Sequence, residues 1–190
     1  MLAFNHVLTL ISFVFAVSLA QLLVRISALV ASRDKVVFSG LSALAMANAI
    51  LLVYLNWLAM YELRDAGNWN LLSISVMFLF SLSICFISTL AAPQLLADGP
   101  IDLEAFYWTQ RYTYYGSWIA CELLAMVGNR LFVSSVLASK LGAENLVNLA
   151  MFPPIILALA VPKRWAQWVG GIGLFVANAT FLIAFEHQLG

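Results

Sequence analysis

The stretch VLTLISFVFAVSLAQLLVRISALVA, residues 7–31, holds a single charged side chain, Arg25. At about 1.5 Å per residue a helix of that length covers the roughly 30 Å hydrocarbon core of a bilayer with some to spare. Five more apolar stretches follow, at residues 37–61, 71–92, 112–131, 146–161 and 165–185. Lipid offers backbone amides and carbonyls no partners, so a spanning segment must be a helix or part of a closed barrel. The alternation of a barrel strand is absent from all six stretches. The sequence therefore predicts an all-α, polytopic transmembrane helical bundle of six spans, with residues 1–190 as one transmembrane domain.

Composition agrees with that reading. Hydrophobic residues make up 64% of the chain, charged residues 9%, and the mean hydropathy is +0.97. The spans and their turns use the whole length, so any function belongs inside the bundle or on its lipid-facing and loop surfaces. Nine basic and nine acidic residues cancel, which gives no attraction to nucleic acid. The expected partners are the lipid bilayer and other membrane proteins, or further copies of the chain. Cys85 and Cys121 both lie within apolar runs and read as small hydrophobes. The first stretch has no basic segment before it, and it runs on to Ala31 past the small residues Ser18-Leu19-Ala20. It is expected to be a retained first helix and not a cleaved signal peptide.

Polar breaks separate the spans. Ser32-Arg33-Asp34-Lys35 follows the first, Glu62 to Asn68 the second, and Pro93 the third. Gly99-Pro100 then precedes an aromatic-rich segment, Ile101 to Arg111, expected to be a short interfacial helix before the fourth span. Residues 132–144 read equally as an extension of that span or as a surface segment. The first, third and fifth connections carry Arg33, Lys35, Arg111, Lys163 and Arg164, against Arg64, Lys140 and nearby Arg130 for the others. The excess predicts that odd-numbered connections face the cytoplasm and both termini the periplasm of a multi-pass inner-membrane protein. Tyr54, Trp57, Tyr61 and Trp69 should form one interfacial belt. Tyr107, Trp108, Tyr112, Tyr114, Tyr115, Trp118, Trp165 and Trp168 should form the other.

The order of these features resembles a broad group of uncharacterised small polytopic inner-membrane proteins from bacteria. The likeness rests on Ser12 to Ala16 with Gln21, then Arg33-Asp34-Lys35-Val36, then Asn56-Trp57 and Tyr61-Glu62-Leu63-Arg64 with Trp69. It continues through Leu90-Ala91-Ala92-Pro93 and Asp102 to Trp108, then Arg111. Members of the group have more basic residues where this chain has Thr109-Gln110. The resemblance implies six helices and a bacterial inner membrane, and it implies no activity. A fainter likeness, carried by Ile11 to Ala16, is to prokaryotic relatives of the lysosomal potassium channel. Phe13 stands where their diagnostic Phe-Ser-Asp has its acid.

Ionisable side chains deep in a bilayer are costly and mark candidate sites. Arg25 lies eight residues before Arg33, about 12 Å inside the edge. Glu122 lies eleven residues after Arg111, about 16 Å from the same edge. Gln21 is one turn from Arg25, and Ser18 continues the stripe. Ser18, Gln21, Arg25 and Glu122 are therefore expected to form an intramembrane polar cluster, a structural pair at its centre or, alternatively, an ion or proton site.

Other features read as structural. The hydroxyls of the third span should bond to carbonyls of their own helix or allow close packing. Gly170, Gly173, Ala177, Thr180 and Ala184 form a narrow small-residue stripe for helix packing. Pro153-Pro154 should kink or break the fifth span. His6 and His187 are isolated near the termini and have no ligand spacing. The chain contains no nucleotide-binding, hydrolase or metalloprotease motif, so no catalytic, cofactor or metal site is expected and the reading leans away from an enzyme. The leading expectation is an accessory or assembly subunit that packs against other membrane proteins. The alternative is a small oligomeric ion or proton channel or carrier using Gln21, Arg25 and Glu122.

Overall fold

Polar caps and prolines set where helices begin and end in the computed structural model, which describes residues 2–60, 63, 69–94, 100–132 and 138–189. Side chains are described at 4–60, 63, 69–94, 100–132 and 145–183. The helices are α1 (Leu2–Ala31), α2 (Gly40–Ala59), α3 (Leu71–Ala91), α4 (Leu103–Leu131), α5 (Ala138–Ala160) and α6 (Arg164–Leu189). A reciprocal cap opens α3. Asn70 Oδ1 accepts from the Ser73 amide and Ser73 Oγ from the Asn70 amide, each at 3.0 Å. Asp102 Oδ1 accepts from the Glu104 and Ala105 amides at 2.8 and 3.0 Å and opens α4. Within α3, Ser75, Ser81, Ser83 and Ser88 donate to carbonyls three or four residues back, which satisfies hydroxyls in an apolar segment.

The expected interfacial helix is not a separate element. Ile101–Asp102 is a short strand, β2, and α4 runs without a break from Leu103 to Leu131. The Asp102 cap is the physical reason, since it starts the helix eight residues before Arg111. The ambiguous region resolves in part: Phe132 ends α4 and α5 begins at Ala138, while 133–137 lie outside the described residues. The backbone of α5 stays helical across Pro153-Pro154, so the double proline does not divide it.

The helices pack in the ring order α1, α3, α4, α5, α6, α2, and α2 also contacts α3 and α4. Consecutive helices alternate in direction. At one end a second short strand, β1 (Val36–Val37), pairs in parallel with β2, matching Val36 to Ile101 and Val37 to Asp102. Ser39 Oγ donates to Glu104 Oε2 at 2.6 Å, and Arg164 lies 3.7 Å from the same carboxylate. These contacts gather the first, third and fifth connections. At the other end, Trp69 stacks on Phe4 and Phe132 at 5.4 and 4.7 Å, bringing the start of α1 beside the second and fourth connections.

Among the described residues, four helices, α1, α2, α3 and α6, are long and apolar enough to cross a membrane. In α5 the apolar run Asn145–Ala160 is shorter, and α4 carries Glu104, Arg111, Glu122 and Arg130. Large apolar side chains point outward along the long helices, among them Phe13, Val24, Leu79, Phe86, Val169 and Ile183. A surface of that kind suits lipid.

Candidate functional site

Glu122 is buried on α4, 4% exposed, and among the described residues it has no hydrogen-bond or ion-pair partner. It lines a cavity of about 100 Å³. The walls come from α2 (Leu52, Leu55, Asn56), α3 (Met77, Phe80), α5 (Asn148, Met151) and α6 (Asn178, Phe181), as well as α4 itself. From Glu122 the cavity extends past Asn129 to Met60, Leu63 and Phe132, at the end that holds the second and fourth connections.

Four asparagines reach this cavity, each from a different helix. Asn56 donates its amide to the Leu52 carbonyl and Asn178 to the Leu174 carbonyl, both at 2.9 Å. Asn129 donates to Asn145 Oδ1 at 3.1 Å. Those three side chains each give one N–H to a protein acceptor and keep a second N–H and an Oδ1 for whatever enters. The site thus offers a carboxyl group and amide oxygens inside a wall of methionine, phenylalanine and leucine.

The four residues of the expected cluster are not together. Ser18 is buried and donates to the Val14 carbonyl of its own helix at 2.6 Å. Gln21 is exposed on the outside of α1, one position away from buried Leu22. Arg25 donates to the Thr89 and Ala92 carbonyls at 2.5 and 2.9 Å, covering the C-terminal end of α3. Glu122 lies beside Met77 and Phe80 instead, the latter nine residues back from Thr89, or about 14 Å along α3. Two facts account for the separation. Helix α3 stands between α1 and α4 in the ring. Arg111, the depth marker for Glu122, is itself buried in the bundle and not at its edge.

A second polar group lies at the opposite end of the bundle. Gln167 at the start of α6 is fully buried and donates to the Ala158 and Val161 carbonyls, both at 2.8 Å, capping α5. Its Oε1 accepts from the Tyr107 hydroxyl at 2.9 Å, and the Tyr115 hydroxyl lies 3.0 Å from Tyr107. Arg111, 2% exposed, sits 4.2 Å from the Tyr112 ring centre, and its Nε and Nη1 have no acceptor among the described residues. The aromatic belts are corrected here: Tyr107, Tyr114, Tyr115 and Trp118 belong to the core, whereas Tyr54, Trp57, Tyr112, Trp165 and Trp168 are exposed. The signal for the buried set is the spacing 107, 111, 114, 115, 118, 122, which puts these residues on one face of α4. Nothing comparable marked Gln167.

The small-residue stripe on α6 meets α5 of the same chain at two positions. A Cβ on Gly170 would lie 2.7 Å from the Pro154 carbonyl oxygen, and one on Gly173 would lie 3.0 Å from Pro154 Cβ. Ala177 packs against the core, Thr180 is exposed, and the side chain of Ala184 lies outside the described residues. Gly171, next in sequence to the stripe, packs on Leu44 of α2, and its carbonyl accepts from Asn48 at 3.0 Å. His6 is exposed; the side chain of His187 is outside the described residues. Cys85 is half-buried and Cys121 buried, both as free thiols. Among the described residues, no three potential metal ligands lie together. Comparison with protein-family models, curated proteins and solved structures finds no match for this chain.

Proposed function

We propose that the chain is a six-span bacterial inner-membrane protein, both termini periplasmic, that works as a small carrier or channel through the cavity at Glu122. The observation that carries this is an ionisable side chain, 4% exposed and without a partner, facing a cavity with amide groups from four helices. A carboxyl group with no structural partner is costly to keep inside a bundle, and ligand binding is the use that accounts for it. A purely structural bundle would have an apolar residue at 122 and a filled cavity. In the proposed topology the cavity faces the periplasm, because its lining extends to Met60, Leu63 and Phe132 beside the second and fourth connections.

The accessory-subunit reading draws on one observation, the exposed amide of Gln21 on the lipid-facing side of α1. An amide facing hydrocarbon gains from a hydrogen bond to a neighbouring helix, so that face suits a partner protein or a second copy. The two readings coexist if the carrier is an oligomer. Liposomes that contain the purified protein and a trapped pH dye test the carrier directly. Under an imposed potential, wild type should pass protons or a small cation, and folded Glu122→Gln should not. Equal flux in both would remove Glu122 from the pathway.

A further inference from the structure

We infer that the Glu122 cavity takes a primary ammonium ion carrying a short apolar body. This rests on the proposal that the cavity is a ligand site, and adds the chemistry of the ligand. Among the described residues lining the cavity, Glu122 is the one acid and no cationic side chain is present. Among the described residues Glu122 has two carboxyl oxygens without partners, and Asn56, Asn129 and Asn178 each give one N–H to a protein acceptor and keep a second N–H and an Oδ1. Asn148, from α5, adds a fourth amide. An ammonium group has three donors and a positive charge, which match the carboxylate and the amide oxygens, whereas an anion would face the cavity's acid with no cationic side chain to pair with it among the described residues.

The apolar walls narrow the class further. Met60, Met77 and Met151 are polarisable and adapt to an alkyl chain, while Phe80 and Phe132 offer ring surface to a cation and its methylenes. A divalent cation would find a single carboxylate here, with no group of three ligand side chains among the described residues. The volume, about 100 Å³, is of the same order as the roughly 150 Å³ apolar cavity known to hold benzene, which points to a ligand of only a few heavy atoms.

The test compares n-butylammonium with its neutral isostere n-butanol, titrated calorimetrically into the full chain in lipid nanodiscs, with empty nanodiscs as blank. Wild type should prefer the ammonium by at least about tenfold, the scale of a charged hydrogen-bonded contact. Glu122→Gln should abolish the preference while butanol binding persists. Asn178→Leu, which alters an α6 side chain bonded only within its own helix, should reduce the preference, and it carries the same test if Glu122→Gln does not fold. Equal binding of both probes to wild type would overturn the ammonium assignment and leave the cavity a ligand site. Binding of neither probe would overturn both. A preference unchanged in the two variants would place the ammonium elsewhere and overturn the assignment.

Discussion

The Tyr107 hydroxyl donates to Gln167 Oε1 at 2.9 Å, joining α4 to the start of α6 in a region shut off from solvent. Gln167 in turn holds the Ala158 and Val161 carbonyls, which the end of α5 would otherwise leave unpaired. One amide therefore ties together three helices and the turn at Pro162.

Replacing Gln167 with leucine should destabilise the protein by about 1–3 kcal/mol, since it leaves the Tyr107 hydroxyl and two carbonyls without a partner. Tyr107→Phe should cost less, because Gln167 then keeps both of its donated bonds. Thermal unfolding in a mild detergent, followed by near-ultraviolet circular dichroism, would rank the two. The reverse order would contradict the assignment of Gln167 as the joint.

Arg25 and Glu122 should be energetically independent. Each partner of a buried ion pair costs about 3–5 kcal/mol to remove alone, and removing both restores much of the loss. Here Arg25→Leu should destabilise by freeing the Thr89 and Ala92 carbonyls, and Glu122→Leu should be close to neutral. The double variant should equal the sum of the two within about 0.5 kcal/mol. Recovery of stability in the double variant would mean that the two side chains do interact.

The glycines of α6 provide a graded series. Gly170→Ala meets backbone, the Pro154 carbonyl, at 2.7 Å and should cost about 1–3 kcal/mol. Gly171→Ala meets the tip of the Leu44 side chain at the same 2.7 Å, which can turn aside, and should cost less. Gly116→Ala on α4 meets nothing within 4 Å and should be neutral or stabilising. Melting temperatures of the three variants check the order.

Binding of n-butylammonium should strengthen as pH rises, because only the ionised Glu122 carboxylate attracts the cation. Among the described residues, the titratable side chains lining the cavity are Glu122 and Cys121. Lowering the pH protonates the first and keeps the second neutral, so affinity should fall on acidification. In Glu122→Gln the titration should be flat, and a pH dependence surviving there would assign it to another group.

Much of the architecture was legible in the sequence, and the limits have physical causes. Apolar runs closed by Pro93 and Pro162 announce helices, and Glu122 stands out because an acid amid Ile119, Leu123 and Leu124 needs a reason. What a helix of nearly uniform hydropathy does not encode is its neighbour. Nothing in residues 7–31 says that α3, and not α4, receives Arg25, so equal depth does not establish contact. In sequence Arg111 looks like a border residue, yet it is buried. Its burial depends on Asp102 starting α4 two turns earlier, with Tyr107, Tyr114 and Tyr115 turned inward. Tyrosines near helix ends suit a lipid interface and a buried hydrogen-bond group equally well, and only the partner, Gln167, distinguishes the two.

The central claim, that Glu122 is a carboxyl group open to small molecules inside the membrane, is tested most directly by an apolar carbodiimide. The protein in liposomes is treated with dicyclohexylcarbodiimide, and the acidic peptides are analysed by mass spectrometry with and without n-butylammonium. The account predicts a single intramembrane adduct at Glu122, suppressed by the ammonium ion. An unmodified Glu122 under conditions that label Glu104, at the surface end of α4, would contradict it.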